Sequence, residues 1–236
     1  MSTPMRQAWD RFAREDARFF ILTNPHSASE ADFYAQGRET WDAVRGWIES
    51  VAPGRLKSGA ALDIGCGIGR VTRALADSFD AATGVDVSAE MVKKARAAHP
   101  QGKPGFEVVS GSDLSPVANS SMDFVHSAIV FQHIPDWAAI ENYIREVGRV
   151  LRPGALAALH LDTRRLSLPA KVYRTLPDFL LPRHHRRFVR RVPRDSALVR
   201  SAFEASGLRI IAEQSPDSDL HWFLVEKPDH SQTSAS

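Results

Sequence analysis

The chain has 236 residues, of which 43% are hydrophobic and 25% charged, and its formal net charge is +2. A chain of this length buries roughly 70–75% of its unfolded surface, so we expect one α/β domain with a self-sufficient core. Its single cysteine, Cys66, excludes an intramolecular disulfide, and the absence of an 18-residue apolar run argues against stable membrane insertion. Because its first residues are charged where a signal peptide would be apolar, we expect a soluble, cytoplasmic protein.

Two helices are predicted ahead of the first strand. Apolar residues recur at helical spacing from Met5 to Phe20, and again between the candidate N-cap Ser29 and Pro53. We expect residues 5–52 to form an N-terminal helical cap.

From Ala60 onward, strands and helices alternate in the manner of βαβ units, which predicts a parallel sheet with helices on both faces. Helices are expected to begin near Gly69, Ser88, Asp136 and Asp195. The predicted strands span residues 61–64, 82–87, 106–110, 124–130, 155–161, 208–212 and 220–226. Seven strands with a short final link fit a doubly wound sheet whose last strand is antiparallel.

The most specific motif is a glycine-rich loop, which reads Leu62-Asp63-Ile64-Gly65-Cys66-Gly67-Ile68-Gly69-Arg70. Glycines allow a sharp turn at the end of a strand and let a ligand approach the backbone, because no Cβ intervenes. A dinucleotide fingerprint, G-x-G-x-x-G, would require glycine where Arg70 stands. The loop instead reads G-x-G-x-G, with an acidic residue two positions ahead of it.

This loop resembles motif I of the class I S-adenosylmethionine (SAM) dependent methyltransferases, and residues 33–161 are similar to that family. The resemblance implies a Rossmann-like sheet of order 3-2-1-4-5-7-6, with N-terminal helices and a helical insert after strand 5 that forms a lid. It also implies a single methyltransferase domain over residues 1–227, in which residues 60–161 bind the cofactor. The implied cofactor is SAM, the product is S-adenosylhomocysteine (SAH), and no metal is expected.

The candidate cofactor-binding residues follow from the ends of successive strands. Asp86 ends strand 2, where a doubly wound fold places a carboxylate over a ribose. The resemblance further implies that Met91 packs on the adenine, that Asp113 and the next backbone N–H bind it, and that Arg38 binds the methionine carboxylate. The complete expected set is Arg38, Asp63, Gly65, Cys66, Gly67, Gly69, Asp86, Val87, Met91, Ser112, Asp113, Leu114 and Ile129.

Methyl transfer from a sulfonium is an in-line displacement that mainly requires positioning of the acceptor and exclusion of water. In the family, the segment after strand 4, here Ala128 to Pro135, lies beside the sulfonium. It lacks the Asn/Asp-Pro-Pro-aromatic signature of methyltransferases that act on nucleobase or amide nitrogens, and the chain lacks a carboxylate cluster for a metal. His133 is the candidate general base, with an ordinary pKa near ~6.5, although a packed or solvated histidine is the alternative.

A basic insert follows strand 5. From Arg164 to Arg194 there are ten Arg or Lys and one acidic residue, so this segment carries +9 and the remainder −7. We expect the insert to form a lid and acceptor pocket with the N-terminal helices, or else a solvated surface hairpin. Its charge favours a small-molecule acceptor that is anionic or glycosylated. The candidate acceptor-binding residues are Tyr34, Gln132, Arg186 and Arg187.

Nucleic acid is not an expected partner, because the basic insert has no interleaved aromatic platform. Residues 195–227 are expected to complete the domain with a helix and two strands. The polar tail, 228–236, is expected to be disordered.

Two other functions stay open. A short-chain nicotinamide dehydrogenase would need another glycine spacing and a Tyr-x-x-x-Lys pair, and none of the three tyrosines has a lysine four positions on. A SAM-fold protein that binds SAM or SAH without methylating, such as a cyclase or a silent partner, would keep the same cofactor residues. The favoured prediction is methyl transfer to a hydroxyl or amine of a small-molecule, sugar or natural-product acceptor.

Overall fold

The computed structural model describes residues 4–22, 29–173, 176–181 and 188–229. Two helices, α1 (Pro4–Leu22) and α2 (Glu30–Val51), precede a seven-stranded sheet. The strands are β1 (Ala60–Ile64), β2 (Ala81–Asp86), β3 (Gly105–Val108), β4 (Met122–Ser127), β5 (Leu151–Leu161), β6 (Arg209–Gln214) and β7 (His221–Glu226). The other α-helices are α3 (Arg70–Ala76), α4 (Ala89–Ala98), α5 (Trp137–Val150), α6 (Leu168–Tyr173) and α7 (Ser196–Ala205).

The strand order is β3-β2-β1-β4-β5-β7-β6, and β7 runs antiparallel to both of its neighbours. The remaining neighbouring strands pair in parallel. This order confirms the predicted fold. The chain order reverses between β1 and β4, which is where doubly wound sheets bind ligands, outside the carboxyl ends of the strands.

Helices cover both faces of the sheet because the parallel strands carry apolar side chains on both sides. On one face, α5 buries an apolar stripe that includes Ile140, Ile144 and Val147. On the other face, α2 and α3 pack through an apolar cluster. In it the ring centroids of Trp41, Phe79 and Phe124 lie 5.5–5.6 Å from one another. The carboxyl edge of the parallel strands is therefore supported by packed helices on both faces of the sheet.

The predicted helix starts are confirmed by their caps. Ser29 and Asp32 form a reciprocal capping box at the start of α2. The Ser88 hydroxyl accepts the backbone N–H of Met91 (3.1 Å), and Asp136 caps α5 in the same way. Such caps each contribute about 1 kcal/mol.

Several elements differ from the sequence prediction: β5 begins at Leu151 rather than at residue 155, and two further differences concern segments next to the site. Strand β4 ends at Ser127 rather than at residue 130, because Ile129 has φ +60° and the chain then enters a 3-10 turn over Phe131–His133. Helix α1 is interrupted at Asp16 (φ −164°, ψ 91°), whose carboxylate accepts the N–H of Phe19 and begins the second part of the helix.

The basic insert contains α6 and a 3-10 turn over Asp178–Leu180. Its apolar side chains Leu168 and Phe179 are exposed. The predicted acceptor residues Arg186 and Arg187, like most of the predicted disordered tail, lie outside the described residues. Among the helices that are described, none has both the length and the apolar character needed to cross a membrane.

Candidate active site

A cavity that is open to solvent lies at the carboxyl ends of β1, β2 and β4. Four side chains of α1 cover it, namely Met5, Trp9, Phe20 and Ile21. The sheet side contributes eight of the predicted cofactor residues to its lining: Asp63, Gly65, Cys66, Gly67, Asp86, Val87, Met91 and Ile129. The candidate base His133 lines the same cavity.

The glycine loop turns under this cavity with left-handed backbone at Gly65 (φ +73°) and Gly67 (φ +56°). A Cβ at Gly65 would lie 2.3 Å from the Val130 side chain, and one at Gly67 would lie 2.7 Å from Ile21. Gly69 does not line the cavity. A Cβ there would lie 2.7 Å from the ring of Phe106, so packing against β3 explains this third glycine.

Asp86 stands at the end of β2 and faces the cavity. Its two oxygens accept the backbone N–H groups of Gly67 (2.9 Å) and Ser88 (2.8 Å). Burial raises the pKa of Asp86 to about 6, against the lowering effect of those two hydrogen bonds. Because each carboxylate oxygen has two lone pairs, Asp86 keeps acceptor capacity for ligand hydroxyls.

The neighbouring thiol is a wall of the cavity rather than a nucleophile. Burial raises the pKa of Cys66 well above its usual value, so the thiol stays protonated. Its side chain packs where a Cβ at Gly84 would stand, at 2.7 Å. Met91, whose side chain is buried, lines the cavity together with Val87.

The predicted adenine contacts at 112–114 do not reach the cavity. The backbone N–H of Leu114 donates to Glu146 Oε2 (2.9 Å), and the Leu114 side chain is buried in the core. Asp113 accepts the Ser110 hydroxyl (2.7 Å), a hydrogen bond that lowers the pKa of Asp113. The carbonyl of Ser112 accepts from Asn142 on α5. The expected adenine-binding N–H of Leu114 is therefore already used within the protein.

Arg38 is likewise not brought to the cavity, although the sequence predicts it as the ligand for the methionine carboxylate. It forms a surface ion pair with Asp77. The reason is the rotation of α2. Gly37 faces α3 so closely that a Cβ there would lie 2.2 Å from the Arg70 carbonyl oxygen, and the next side chain on a helix points about 100° away.

Arg70 is a cavity-lining cation that sequence reasoning missed. It is 9% exposed, and its Nη1 donates to the carbonyl of Gln36 (2.9 Å) and to the hydroxyl of Thr40 (3.0 Å). No described carboxylate forms an ion pair with it, and burial lowers its pKa. The sequence contained one signal for this role: Arg70 directly follows the third glycine of the loop and begins the helix after β1.

Asp63 and His126 form a buried pair across β1 and β4. The ring nitrogen Nδ1 of His126 lies 2.9 Å from Asp63 Oδ1, and Asp63 Oδ2 accepts the hydroxyl of Thr72 (2.6 Å). Both members of the pair line the cavity. Asp63 is thus held rigidly beneath the glycine loop, and His126 is a second residue that the sequence pattern did not predict.

His133 is neutral in this environment. Burial, followed by the charge of Arg191, lowers its pKa to about 3, and its ring makes a hydrogen bond with the Val189 backbone. Its Nδ1 has no partner among the described residues, and the indole of Trp9 packs edge-on against the ring at 5.8 Å. A group with this pKa accepts a hydrogen bond but is a weak base near neutral pH, in contrast to the value of ~6.5 expected from sequence.

The predicted acceptor residues Tyr34 and Gln132 do not line the cavity. The Tyr34 hydroxyl lies 3.5 Å from the carbonyl of Ile68, and the guanidinium of Arg73 covers its ring at 5.0 Å. The Gln132 side chain is buried, and neither of its amide atoms has a partner within the described part of the chain. No group of three or more His, Cys, Asp or Glu that could hold a metal is found among the residues described.

Comparison with known proteins relates part of this chain to methyltransferases. Residues 62–159 match the family model of a methyltransferase domain. The chain is 31% identical to a ubiquinone biosynthesis O-methyltransferase of Paracidovorax citrulli over 112 residues, which are 46% of this chain and 45% of that protein. It is 31% identical to a malonyl-[acyl-carrier protein] O-methyltransferase of Hahella chejuensis over 152 residues, 57% of this chain and 53% of that protein. The chain thus spans about half the length of these curated relatives.

Among solved structures, the magnesium protoporphyrin IX methyltransferase of Synechocystis PCC 6803, crystallised with SAH, superposes with a TM-score of 0.63 at 20% identity. The superposition covers 94% of this chain and 96% of that one, which shows a common fold. Residues 62–159 are thus similar to a methyltransferase domain, and most of the chain shares the fold of a solved methyltransferase.

Proposed function

We propose that this chain binds SAM in the cavity beneath α1 and transfers a methyl group to a hydroxyl or amine of a small-molecule acceptor. One observation carries the proposal: a single cavity is lined by Asp86, by Arg70 and by the left-handed turn at Gly65 and Gly67, which we call the glycine cradle. The Asp86 carboxylate suits the ribose hydroxyls of SAM, and the Arg70 guanidinium suits its carboxylate. The glycine cradle offers backbone groups to the part of SAM between them. Bound SAM supplies a methyl group already activated by its sulfonium, so the protein's own contribution is positioning.

Each cofactor contact has a candidate residue. Asp86 would accept the ribose hydroxyls with its remaining lone pairs, and Met91 and Val87 would pack against the adenine. Gly65 and Gly67 line the cavity and would present their backbone to the ligand, while Val130 and Ile21 fill the positions that a Cβ would take. Asp63 would hold the glycine loop, because its carboxylate joins α3 through Thr72 and β4 through His126.

Arg70 replaces Arg38 as our candidate for the methionine carboxylate. Its hydrogen bonds in the structure use Nη1, which leaves the N–H groups of Nε and Nη2 for a ligand. A guanidinium offers planar, bidentate recognition to a carboxylate, and partial burial strengthens that interaction.

His133 is the proposed contact to the acceptor. With its pKa lowered to about 3, its ring is neutral at pH 7 and offers the Nδ1 lone pair to an acceptor O–H or N–H. This hydrogen bond would orient the nucleophile, which is the main requirement of a displacement whose leaving group is already activated. The charge of +9 over residues 164–194 supports an acceptor that carries a carboxylate, a phosphate or a sugar acid.

The cofactor part of this proposal is tested by calorimetry with SAH. We expect the wild-type chain to bind SAH, and Asp86→Ala to weaken binding at least about tenfold, because two hydroxyl hydrogen bonds to a charged group are lost. Asp80→Ala, at the exposed residue just before β2 and outside the cavity lining, is the matched control and should bind as the wild type does. Wild-type protein without measurable SAH affinity would refute the proposal.

The transferase part is tested with methyl-labelled SAM and a panel of hydroxylated and aminated acceptors, each with and without an anionic group. Label should appear preferentially in anionic acceptors, and it should depend on His133. Tight SAH binding without label transfer to any acceptor of the panel would favour a SAM-binding protein that does not methylate.

A further inference from the structure

The loop that follows β4 contains a strained backbone position. Ile129 has φ +60°, and among the described non-glycine residues with positive φ it is the β-branched one. The left-handed region is sterically unfavourable for such a side chain, so this conformation persists only where neighbouring groups hold it. Ile129 also lines the cavity, between Ala128 and Val130, which do so too.

His160 on β5 holds this position. The backbone N–H of Ile129 donates to His160 Nδ1 (3.1 Å), and His160 Nε2 lies 3.0 Å from the carbonyl oxygen of Asp219. Because a carbonyl only accepts, Nε2 must carry the hydrogen, which leaves Nδ1 as the acceptor for Ile129. The ring is fully buried and packs against Trp222, with 5.2 Å between the ring centroids.

This contact sets the direction of a peptide bond in the cavity wall. In a trans peptide the N–H and the preceding C=O point in opposite directions, so the carbonyl of Ala128 points away from His160. One residue later, the side chain of Val130 lies where a Cβ at Gly65 would stand, at 2.3 Å. The strained loop therefore has two contacts. The Val130 side chain packs against Gly65, and His160 accepts the Ile129 N–H from β5.

We propose that His160 is a positioning residue for cofactor binding, which acts by holding the Ala128–Ile129 peptide in the strained orientation that faces the ligand. His160 does not itself line the cavity. The inference rests on the proposed function, since SAM or SAH is the ligand concerned, and it adds a residue that neither the glycine motif nor the family resemblance includes.

Two amide substitutions separate the two hydrogen bonds of the ring. His160→Asn keeps an acceptor oxygen near the Nδ1 position, whereas His160→Gln keeps a donor near the Nε2 position and removes the acceptor. By calorimetry, we expect His160→Gln and His160→Phe to weaken SAH binding about tenfold, and His160→Asn to stay within about threefold of the wild type.

His221→Phe is the control for loss of a buried histidine. This ring is also buried, but its nitrogens pair with Thr163 (2.8 Å) and Glu213 (2.9 Å), and it does not line the cavity. It should bind SAH as the wild type does, even if its melting temperature falls.

Ile129→Gly tests the role of strain. Glycine adopts positive φ without steric cost, so His160→Gln should weaken SAH binding by less than about threefold in the Ile129→Gly background. The inference is overturned if His160→Gln binds SAH like the wild type, if its loss is equal in both backgrounds, or if His221→Phe loses as much affinity. Failure of the wild type to bind SAH would instead contradict the proposed function.

Discussion

Arg70→Met tests which arginine recognises the amino-acid end of the cofactor. Methionine keeps much of the apolar stem and removes the guanidinium. The folded state should tolerate the change, because Gln36 O also accepts the Thr40 hydroxyl (2.8 Å) and is not left unpaired. A hydrogen bond to a charged group contributes about 1.5–3 kcal/mol, so the Kd of SAH should rise roughly 10- to 150-fold.

The assay is calorimetric titration of SAH and of methylthioadenosine, which lacks the amino-acid part, into three proteins. Arg70→Met should lose affinity for SAH and keep its affinity for methylthioadenosine. Arg38→Ala should bind both ligands as the wild type does, because Arg38 pairs with Asp77 at the surface. The reasoning is refuted if Arg70→Met weakens both ligands equally, or if Arg38→Ala is the variant that loses SAH.

Three further predictions concern the fold and its pH dependence. Gly37→Ala should destabilise the protein by about 1–3 kcal/mol in urea unfolding, since its Cβ would lie 2.2 Å from the Arg70 carbonyl. Gly46→Ala on the same helix should instead stabilise it by about 0.5–1 kcal/mol, because nothing lies within 4 Å of that Cβ; a loss at both positions would contradict the packing of α2. Burial lowers the pKa of His133 to about 3 and of His160 to about 4, so their contribution to stability is complete above pH ~6.5 and is lost as the pH falls toward 4. Burial raises the pKa of Asp86 to about 6, so Asp86 changes the stability in the opposite direction as the pH falls. The test is therefore the difference in the free energy of unfolding between the wild type and His133→Phe. Parallel curves of that free energy from pH 7.5 to 4.5 would argue against a buried neutral His133.

Local patterns were sufficient for the number of strands, the helix caps and the glycine turn, whereas the strand order came from the resemblance of the glycine loop to a known family. Ser29, Ser88 and Asp136 cap helices because a short polar side chain beside its own backbone needs no distant partner. The glycine cradle was predictable because Gly65 and Gly67 adopt the left-handed backbone that the sharp turn after β1 requires.

The rest depended on contacts between distant segments. Whether Arg38 or Arg70 faces the cavity depends on the rotation of α2, which Gly37 sets against α3. Leu114 has its N–H taken by Glu146, which comes from α5. Ile129 appears within a β-branched run typical of a strand, and its left-handed conformation depends on a histidine in another strand, 31 residues away.

These distant contacts also connect the two halves of the site. The end of the basic insert is attached to the loop after β4: the N–H of Val192 donates to Gln132 O (2.6 Å), and Arg194 donates to the carbonyls of Ile134 (2.8 Å) and Pro135 (2.7 Å). The same loop carries His133 and the strained Ile129, which His160 holds from β5. The end of the basic insert is therefore hydrogen-bonded to a loop whose residues also line the proposed cofactor cavity. If the proposed acceptor binds against the insert, we expect substitutions at His160 to alter acceptor KM as well as the Kd of SAH, because both sites then share the loop of residues 129–135.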